Sequence, residues 1–381
     1  MNETIVTYLK QFEFVSRGYA GLSPHMATLV SVIIFGIFAF VIVNVCAIIG
    51  GLGTYAERKI SADMQMRIGP NRVGPYGILQ FLADGVKMIM KEDTVPRDCD
   101  RFLFFIAPFF CLVGVFATLA VLPFSNGFIL TDLNIGVFYL LGVASMVGMG
   151  VFLGGYSSNS KWSMLGGMRG ASQIISYEIP VTISILSIVL LTGSLSLRDM
   201  ANAQTGFPTG WYIFHNPFTF IGFFIFFIGI LAETNRAPFD LPEAESELVS
   251  GYNTEYSGMR FAFFALAEYV EVFVVCSLAS VLFLGGFKVP FDIGGNTIIG
   301  QLLQVGTFFG KAFLLYYVVI WVRWTLPRLR VDQLMTVCWK YLTPIALFNL
   351  VGCAFWMYFF DGKSILTLLL QTGAAAAGGH H

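Results

Sequence analysis

The stretch 261–286, FAFFALAEYVEVFVVCSLASVLFLGG, decides the fold class of this chain. It is almost wholly apolar, and it exceeds the roughly 20 residues with which a helix spans the hydrocarbon core of a bilayer. Its two charged residues, Glu268 and Glu271, stand about one helical turn apart inside the apolar run. A charge at the bilayer centre costs about 2.5–3.5 kcal/mol on insertion scales. The stretch therefore predicts a transmembrane helix, and the cost of its two acids indicates that they have a functional role.

Seven further apolar runs flank this one, at 27–55, 102–122, 135–154, 172–191, 214–233, 298–322 and 342–360. Of the 381 residues, 56% are hydrophobic and 12% are charged, whereas a soluble domain carries about 25% charged residues. We predict an all-α integral membrane protein with about eight transmembrane helices and one amphipathic interfacial helix. We divide it into a polar N-terminal extension (1–24), one bundle (25–362) and a tail (363–381) whose last stretch, GAAAAGGHH, resembles an expression-tag remnant.

The basic residues orient the predicted bundle. The loops after the first, third, fifth and seventh spans hold 16 of the 22 Lys and Arg residues, the opposite side holds five, and Lys311 lies inside a span. Cytoplasmic loops are the ones rich in Lys and Arg, so both termini should be periplasmic in a bacterium. The six cysteines are scattered without a CxxC pair, which argues against an iron–sulfur or zinc site.

Charged residues in and beside the spans are the first functional signal. Glu178 and Lys311 lie inside predicted spans, like the two acids quoted above. Ionisable residues in membranes usually line a proton or substrate path, although ion pairs between helices are the alternative. Glu57 and Arg58, within Tyr55-Ala-Glu-Arg-Lys59, end the first span, where such charges pair, snorkel or simply stop the helix from moving further into the lipid.

A cationic turn and an amphipathic helix come next. The segment Arg67-Ile-Gly-Pro-Asn-Arg-Val-Gly-Pro75 contains two Gly-Pro steps and predicts a stiff turn. The segment 76–91 has one polar stripe, made of Gln80, Asp84, Lys87 and Lys91. Such a helix lies in the membrane interface. It serves either as an anchor or as the wall of an opening, with Asp84 and Lys87 facing polar contents.

The loop 233–258, ETNRAPFDLPEAESELVSGYNTEYSG, carries six acids against one base, Arg236. Crowded carboxylates repel one another, so some should have raised pKa values and bind protons near neutral pH. A solvated acidic loop is the alternative. The apolar residues between the acids favour burial against the bundle: Pro238, Phe239, Leu241, Pro242, Leu248 and Val249.

Taken together, these motifs resemble a known family. GTYAERKISADMQMRIGPNRVGPYG, LADGVKMIMKED, SYEIP and LAETNRAPFDLPEAESELVSGYNTEYSGMRFAFFALAEY are similar to the signatures of the quinone-channel subunit of respiratory complex I, the H chain of bacterial NADH:quinone oxidoreductases. The similarity runs from the first to the last predicted span. The first 24 residues and the tail are not covered by it.

The resemblance implies a subunit without a redox centre of its own, which is catalytic only in its complex. A quinone, either ubiquinone or menaquinone, enters a chamber from the lipid and is reduced by an iron–sulfur cluster of another chain. NADH, FMN and the Fe–S clusters belong to partner subunits. The partners are the hydrophilic-arm subunits, which reduce the quinone, and the membrane-arm subunits, which pump protons. The location is the bacterial inner membrane, equivalent to the mitochondrial inner membrane.

The resemblance also assigns roles to residues. The quinone chamber would use Glu57, Arg58, Arg67, Arg72, Asp84, Lys87 and Arg236. Coupling of protons and charge to quinone reduction would use Glu178, Glu233, Asp240, Glu243, Glu245, Glu247, Glu255 and Glu268. No metal site is expected.

Other function classes stay open at this point. A related membrane-bound hydrogenase or another quinone-reducing complex has an equivalent subunit with similar motifs. An independent proton-coupled transporter would also keep acids in the membrane, but many transporters are built from internal repeats and none is visible here. In a purely structural anchor, neutralising the intramembrane acids would change stability only.

Overall fold

The computed structural model describes residues 24–204, 210–289, 297–360 and 364. The predicted extension 1–24 and tail 363–381 fall almost entirely outside these ranges. Contacts divide the chain into two units, Met1–Ile49 and Gly50–His381. Every residue of the site described below belongs to the second unit, and the predicted domain boundaries stay predictions.

The described residues form helices and no strand. The helices are α1 (Pro24–Met64), α2 (Gln80–Met90), α3 (Arg101–Leu119), α4 (Gly136–Ser157), α5 (Lys161–Thr192), α6 (Leu197–Ala203), α7 (Pro217–Glu233), α8 (Glu245–Leu248), α9 (Gly258–Phe283), α10 (Ile298–Thr325), α11 (Val331–Thr336) and α12 (Thr343–Phe360). Short 3₁₀ turns form at Pro75–Gly77, Tyr212–Phe214 and Gly251–Asn253, and a π-helical segment, Val337–Leu342, joins α11 to α12.

The predicted fold class is confirmed. Six described helices are long and apolar enough to cross a membrane: α3, α4, α5, α9, α10, and α11 and α12 taken as one with the π-helical segment. Each coincides with a predicted span. The shorter apolar helix α7 matches a seventh, and the predicted span 27–55 lies within α1.

Several helices extend beyond the spans predicted for them, and in two of them the extension contains residues that bear on the site. Helix α1 continues to Met64, so Glu57 and Arg58 lie on the helix. Helix α5 begins at Lys161, so Arg169 lies in its third turn and not in a loop. Apolar runs locate only the part of a helix that lies in lipid, whereas polar residues continue the helix beyond the membrane wherever they find partners.

Local sequence explains where α7 begins and where α5 ends. Asn216 caps α7 by accepting a hydrogen bond of 2.6 Å from the backbone of Thr219, and the Thr219 hydroxyl accepts one from the Asn216 backbone. This reciprocal capping box satisfies backbone donors that the first turn of a helix leaves free. Helix α5 ends at Gly193 with φ of 66°, a left-handed conformation that glycine adopts without steric cost.

The loops of the Gly50–His381 unit form two separate sets. In one set, Arg260 pairs with Asp93 at 3.1 Å and Arg328 pairs with Asp240 at 3.0 Å. In the other set, Arg198 pairs with Asp132 at 3.1 Å. These pairs join loops within each of the two groups that the basic residues had distinguished. The pairs agree with the predicted grouping of the loops, and the orientation of the bundle stays a prediction.

Candidate functional site

A buried arginine holds two glutamates from different helices. Arg236 donates from Nη1 to Glu57 Oε2 at 2.9 Å, and its Nη2 lies 3.2 Å from Glu268 Oε1. The Arg236 side chain is 4% exposed and that of Glu57 is 8% exposed. Because unpaired buried charges are costly, each member of this group depends on the others. Glu268 is therefore ion-paired, as in the alternative interpretation of such acids, but its partner lies in the turn after α7 and not on a second helix.

Two further residues complete this group, which we call the Arg236 cluster: Glu57, Arg236, Glu268, Tyr269 and Arg323. Arg323, near the end of α10, pairs with the second oxygen of Glu57. The Tyr269 ring lies 4.4 Å from the Arg236 guanidinium, within the range of a cation–π contact. Neither Arg323 nor Tyr269 was among the site residues predicted from the sequence. The signal that could have found Arg323 is its position as the basic residue in the last turn of an apolar helix.

The chain path after α7 brings Arg236 into this position. The Arg236 backbone donates to Leu231 and accepts from Phe239, which closes a tight turn. Gln173, buried on α5, anchors the same turn by donating to the carbonyl oxygens of Ala232 at 2.7 Å and Phe239 at 2.8 Å. The same amide nitrogen lies 3.2 Å from the Asn235 side-chain oxygen, to which it also donates. Gln173 carries no charge, so it was not among the residues predicted from the sequence.

The acidic loop packs against the bundle for most of its length. Phe239, Leu241 and Leu248 are buried, whereas Val249 is exposed. The predicted burial is therefore confirmed except at the exposed turn around Val249. Gly251 explains how the loop folds back: it has a φ of 57°, and a Cβ there would lie 1.6 Å from the Pro242 carbonyl oxygen. No other residue fits this position without moving the loop.

Glu243 is the acid of this loop with the most unusual environment. Its Oε1 accepts a hydrogen bond of 2.7 Å from Asn253. Burial, and next the negative charge of Asp240, raise the pKa of Glu243, while Arg236 and hydrogen bonds from Tyr252 and Asn253 act in the opposite direction. The raised pKa agrees with the expectation from crowded carboxylates.

The remaining predicted acids lie in different settings. Glu247 is half exposed and pairs with Arg169 at 2.7 Å. Glu178 and Glu255 are partly buried, on α5 and in the turn before α9. Glu233 is 7% exposed at the end of α7 and lies close enough to Glu178 to interact electrostatically. The backbone of Glu245 begins α8, and its side chain lies outside the description.

A second, more exposed group lies on α1 and α2. Asp84 pairs with Arg58, and it accepts from Lys87 at 3.5 Å and from Gln80 at 3.3 Å. No residue of α2 is buried. The predicted polar stripe of an interfacial helix is therefore present in the described structure, and Arg58 on α1 binds to it.

The cationic turn lies between these two helices. Arg67 and Arg72 are exposed, and Arg67 donates to the Gln65 side chain at 2.6 Å. The Tyr55 hydroxyl donates to the Tyr76 carbonyl oxygen at 2.9 Å and joins the two ends of the segment. Neither arginine contacts the Arg236 cluster. Their exposed position leaves them accessible to another chain or to solvent.

Comparison with known proteins identifies the family. Residues 36–354 match the family model for NADH dehydrogenase. The chain belongs to the NADH dehydrogenase family. The resemblance inferred from the motifs is thereby confirmed, and the matched region contains every candidate residue of the two charged groups.

Curated members of the NADH dehydrogenase family are similar over most of this chain. The H subunit of NADH-quinone oxidoreductase from Anaeromyxobacter dehalogenans is 46% identical over 334 residues, which cover 84% of this chain and 81% of that protein. The H subunit from Chlorobaculum parvum is 50% identical over 313 residues, 80% and 87% of the two chains. NADH-quinone oxidoreductase subunit 8 of Rhodothermus marinus is 45% identical over 326 residues, 83% and 94%.

Two intramembrane charges of this family member lie apart from the Arg236 cluster. Glu271, on α9, is 8% exposed and lines an internal cavity with Glu233. Lys311, on α10, donates to the carbonyl oxygens of Leu284 at 2.8 Å and Gly286 at 2.9 Å, close to the C-terminal end of α9. Glu271 and Lys311 therefore have surroundings different from those of Glu268 in the Arg236 cluster.

Proposed function

We propose that this chain is the membrane subunit of an NADH:quinone oxidoreductase, respiratory complex I, that forms the quinone chamber and couples quinone reduction to proton pumping. It acts as an enzyme only as part of the complex. NADH, FMN and iron–sulfur clusters belong to its hydrophilic partner subunits, and proton pumps belong to its membrane partners. The names of the curated relatives support this assignment.

The Arg236 cluster is the observation that carries the proposal. Two carboxylates and two guanidiniums lie together, with Arg236 almost fully buried. A structural anchor in lipid gains little from such a group, because a buried ion pair is often no more stabilising than apolar residues of the same size. Glu268 lies inside a predicted span, and ionisable residues in such spans usually serve a proton or substrate path.

Glu57 connects the cluster to the proposed entrance of the chamber. Its sequence neighbour Arg58 binds Asp84 on the interfacial helix α2, whereas Glu57 itself binds Arg236 and Arg323. One turn of α1 therefore joins the exposed group to the buried one. A quinone that enters between α1 and α2 would meet Asp84 and Lys87 first. It would reach the Arg236 cluster next, while Arg67 and Arg72 would face the hydrophilic arm.

The acidic loop provides the coupling step in this proposal. Reduction of a quinone takes up two protons with two electrons. Glu243, with its raised pKa, and the neighbouring Asp240 are suited to deliver protons, because a general acid works best with a pKa near the working pH. Loss of those protons leaves negative charge at low dielectric, where Coulomb energies are large. Glu233 and Glu178 would transmit that charge, and Glu245, Glu247, Glu255 and Glu268 would take part in the same link.

The proposed location is the bacterial inner membrane. The loop set that contains the Arg236 turn is the set rich in Lys and Arg, and the positive-inside tendency makes it cytoplasmic. Both termini would then be periplasmic. The hydrophilic arm would bind at the cytoplasmic end, over the acidic loop and the cationic turn.

Purification in mild detergent tests the assignment. We expect the chain to copurify with flavin and iron–sulfur subunits and to support NADH:quinone reduction. Glu57→Gln should lower quinone reduction severalfold, while electron transfer from NADH to a water-soluble artificial acceptor continues, because that acceptor takes electrons before they reach the quinone.

The matched control is Asp132→Asn, which breaks an exposed ion pair with Arg198 at the opposite end of the bundle. Quinone reduction should be unchanged in that variant. A chain that purifies alone and transports protons in vesicles would contradict the proposal, as would equal losses in the two variants.

A further inference from the structure

The interior of the bundle contains a small cavity among α3, α4, α5, α7 and α9. Its volume is about 20 Å³, which is room for about one water molecule. Most of its lining is aliphatic, including Val115, Val147 and Val274. Two carboxylates reach it, from Glu233 on α7 and from Glu271 on α9. An apolar cavity stays dry, whereas polar groups on its wall favour an ordered water molecule.

Glu271 differs from its neighbour Glu268, one turn earlier on α9. Glu268 is paired with Arg236. Glu271 makes no hydrogen bond or ion pair with any residue that the structure describes, although it is only 8% exposed. Glu233, 7% exposed, likewise has no such partner in the described part of the chain. The cavity is thus lined by two buried carboxylates that form no ion pair with a described residue. Arg236 and Glu268 lie close enough to interact electrostatically with Glu271, and Glu178 close enough to interact with Glu233.

This arrangement restricts the charge that the two acids can carry. Two like charges facing one apolar cavity repel strongly, because the surrounding dielectric constant is low. Carboxylates that share a site therefore lose their protons one at a time, as a coupled pair. A water molecule between them would satisfy the oxygen atoms that the protein leaves without donors.

We propose that Glu233 and Glu271 form a proton-holding pair bridged by water in this cavity. The inference rests on the proposed function, and it adds Glu271 as a proton-carrying group that extends the acidic link towards α3 and α4. The resting pair holds one proton and one negative charge. Transfer of that proton through the water breaks an O–H bond at the acid and forms one at the carboxylate, so the negative charge moves from one side of the cavity to the other. Only O–H bonds break and form.

Thr118 provides a further polar contact for this water. It lines the cavity, and its hydroxyl donates to the Val115 carbonyl oxygen at 2.7 Å. That hydrogen bond uses its proton, so the Thr118 oxygen can only accept from the cavity. Water can donate to Thr118 and to one carboxylate while it accepts from the protonated acid. These three partners fall within the roughly two to four that a buried water molecule needs.

The test uses the whole complex in vesicles and the variant Glu271→Gln, which keeps the shape of the side chain and removes the acid. Infrared difference spectra during turnover should lose one C=O stretching band of a protonated carboxyl group. Proton pumping per NADH oxidised should fall severalfold, while NADH:quinone reduction continues. Ala144→Leu, which fills the cavity and keeps both acids, should shift the same band and also reduce pumping.

An unchanged band together with normal pumping in Glu271→Gln would overturn the inference. If Glu271→Gln does not assemble, Ala144→Leu decides by the same two measurements. The variant Glu57→Gln distinguishes failure of the proton-holding pair from failure of the proposed function. A defect in quinone reduction in Glu57→Gln with normal pumping in Glu271→Gln rejects the proton-holding pair alone. Normal quinone reduction in Glu57→Gln rejects the proposed function itself.

Discussion

Arg236 and Lys311 are both cations within the bundle, but they are stabilised in different ways. Arg236 binds two carboxylates, Glu57 and Glu268, from two other segments of the chain. Lys311 binds backbone carbonyl oxygens near the end of α9, and its Nζ lies 5.0 Å from the Trp211 ring. Within the described residues, no carboxylate pairs with Lys311.

The surroundings of Arg236 include titratable acids, whereas the partners of Lys311 are backbone carbonyl oxygens. Carboxylates gain and lose protons, so the net charge around Arg236 can change during a reaction. Carbonyl oxygens do not titrate, so the environment of Lys311 keeps the same charge throughout. A cation at the C-terminal end of a helix also interacts favourably with the helix dipole. We therefore interpret the Arg236 cluster as functional and Lys311 as a structural cap on α9.

The largest expected effect is that of Arg236→Met. The substitution leaves Glu57 and Glu268 buried without their shared partner, and breaking a buried pair typically costs about 3–5 kcal/mol. Thermal unfolding of the detergent-purified complex should show a large decrease in the unfolding temperature, with loss of quinone reduction. Arg236→Lys keeps the charge but loses the forked geometry, so it should lie between wild type and Arg236→Met. If Arg236→Met lowered the unfolding temperature and quinone reduction no more than Lys311→Met does, the distinction between the two cations would be contradicted.

The next effect is that of Lys311→Met. The carbonyl oxygens of Leu284 and Gly286 lose a charged donor, which should cost about 1.5–3 kcal/mol. Quinone reduction per assembled complex should stay close to wild type. The measurements are the unfolding temperature and turnover, with Lys340→Met, an exposed lysine, as the control. Loss of pumping in a stable, assembled Lys311→Met complex would contradict a purely structural role.

A pH dependence should follow from Glu243. Its folded-state pKa is raised above the ordinary value, chiefly by burial. Between the ordinary and the raised pKa the folded state therefore binds a proton that the unfolded state has lost. Stability contributed by this group is present at lower pH and declines as pH rises through that window. Glu243→Gln should flatten this part of the curve of unfolding temperature against pH, whereas the exposed Glu92→Gln should leave its slope unchanged.

The smallest effect on stability is expected for Asp84→Asn. Partly exposed ion pairs such as Asp84 with Arg58 contribute about 0–1 kcal/mol, so the unfolding temperature should hardly move. If Asp84 lies at the chamber entrance, the KM for quinone should rise severalfold while kcat changes little. Asp132→Asn, from the exposed pair at the other end, is the matched control. Equal KM values for quinone in the two variants would contradict an entrance at α2.

Much of this architecture was predictable from the sequence, because a lipid environment restricts the possible structures. Backbone polar groups have no water to bind in the hydrocarbon core, so apolar runs must become helices. A charged side chain in the hydrocarbon core is also costly, so the isolated acids and Lys311 were conspicuous in the sequence. The long acidic-loop motif then identified the family. The uneven distribution of Lys and Arg also predicted which loops share an end, and the ion pairs between loops agree with that prediction.

The tertiary structure alone decided which charges meet. Glu57 and Arg236 are 179 residues apart, and no sequence spacing relates them. Glu268 and Glu271 looked equivalent because they share about one turn of α9. One binds Arg236 and the other lines a cavity with Glu233, since side chains three positions apart on a helix still point about 60° apart at 3.6 residues per turn. The sequence by itself determined which charged residues lie within the apolar spans, and the packing of the helices and loops determined which partners they have.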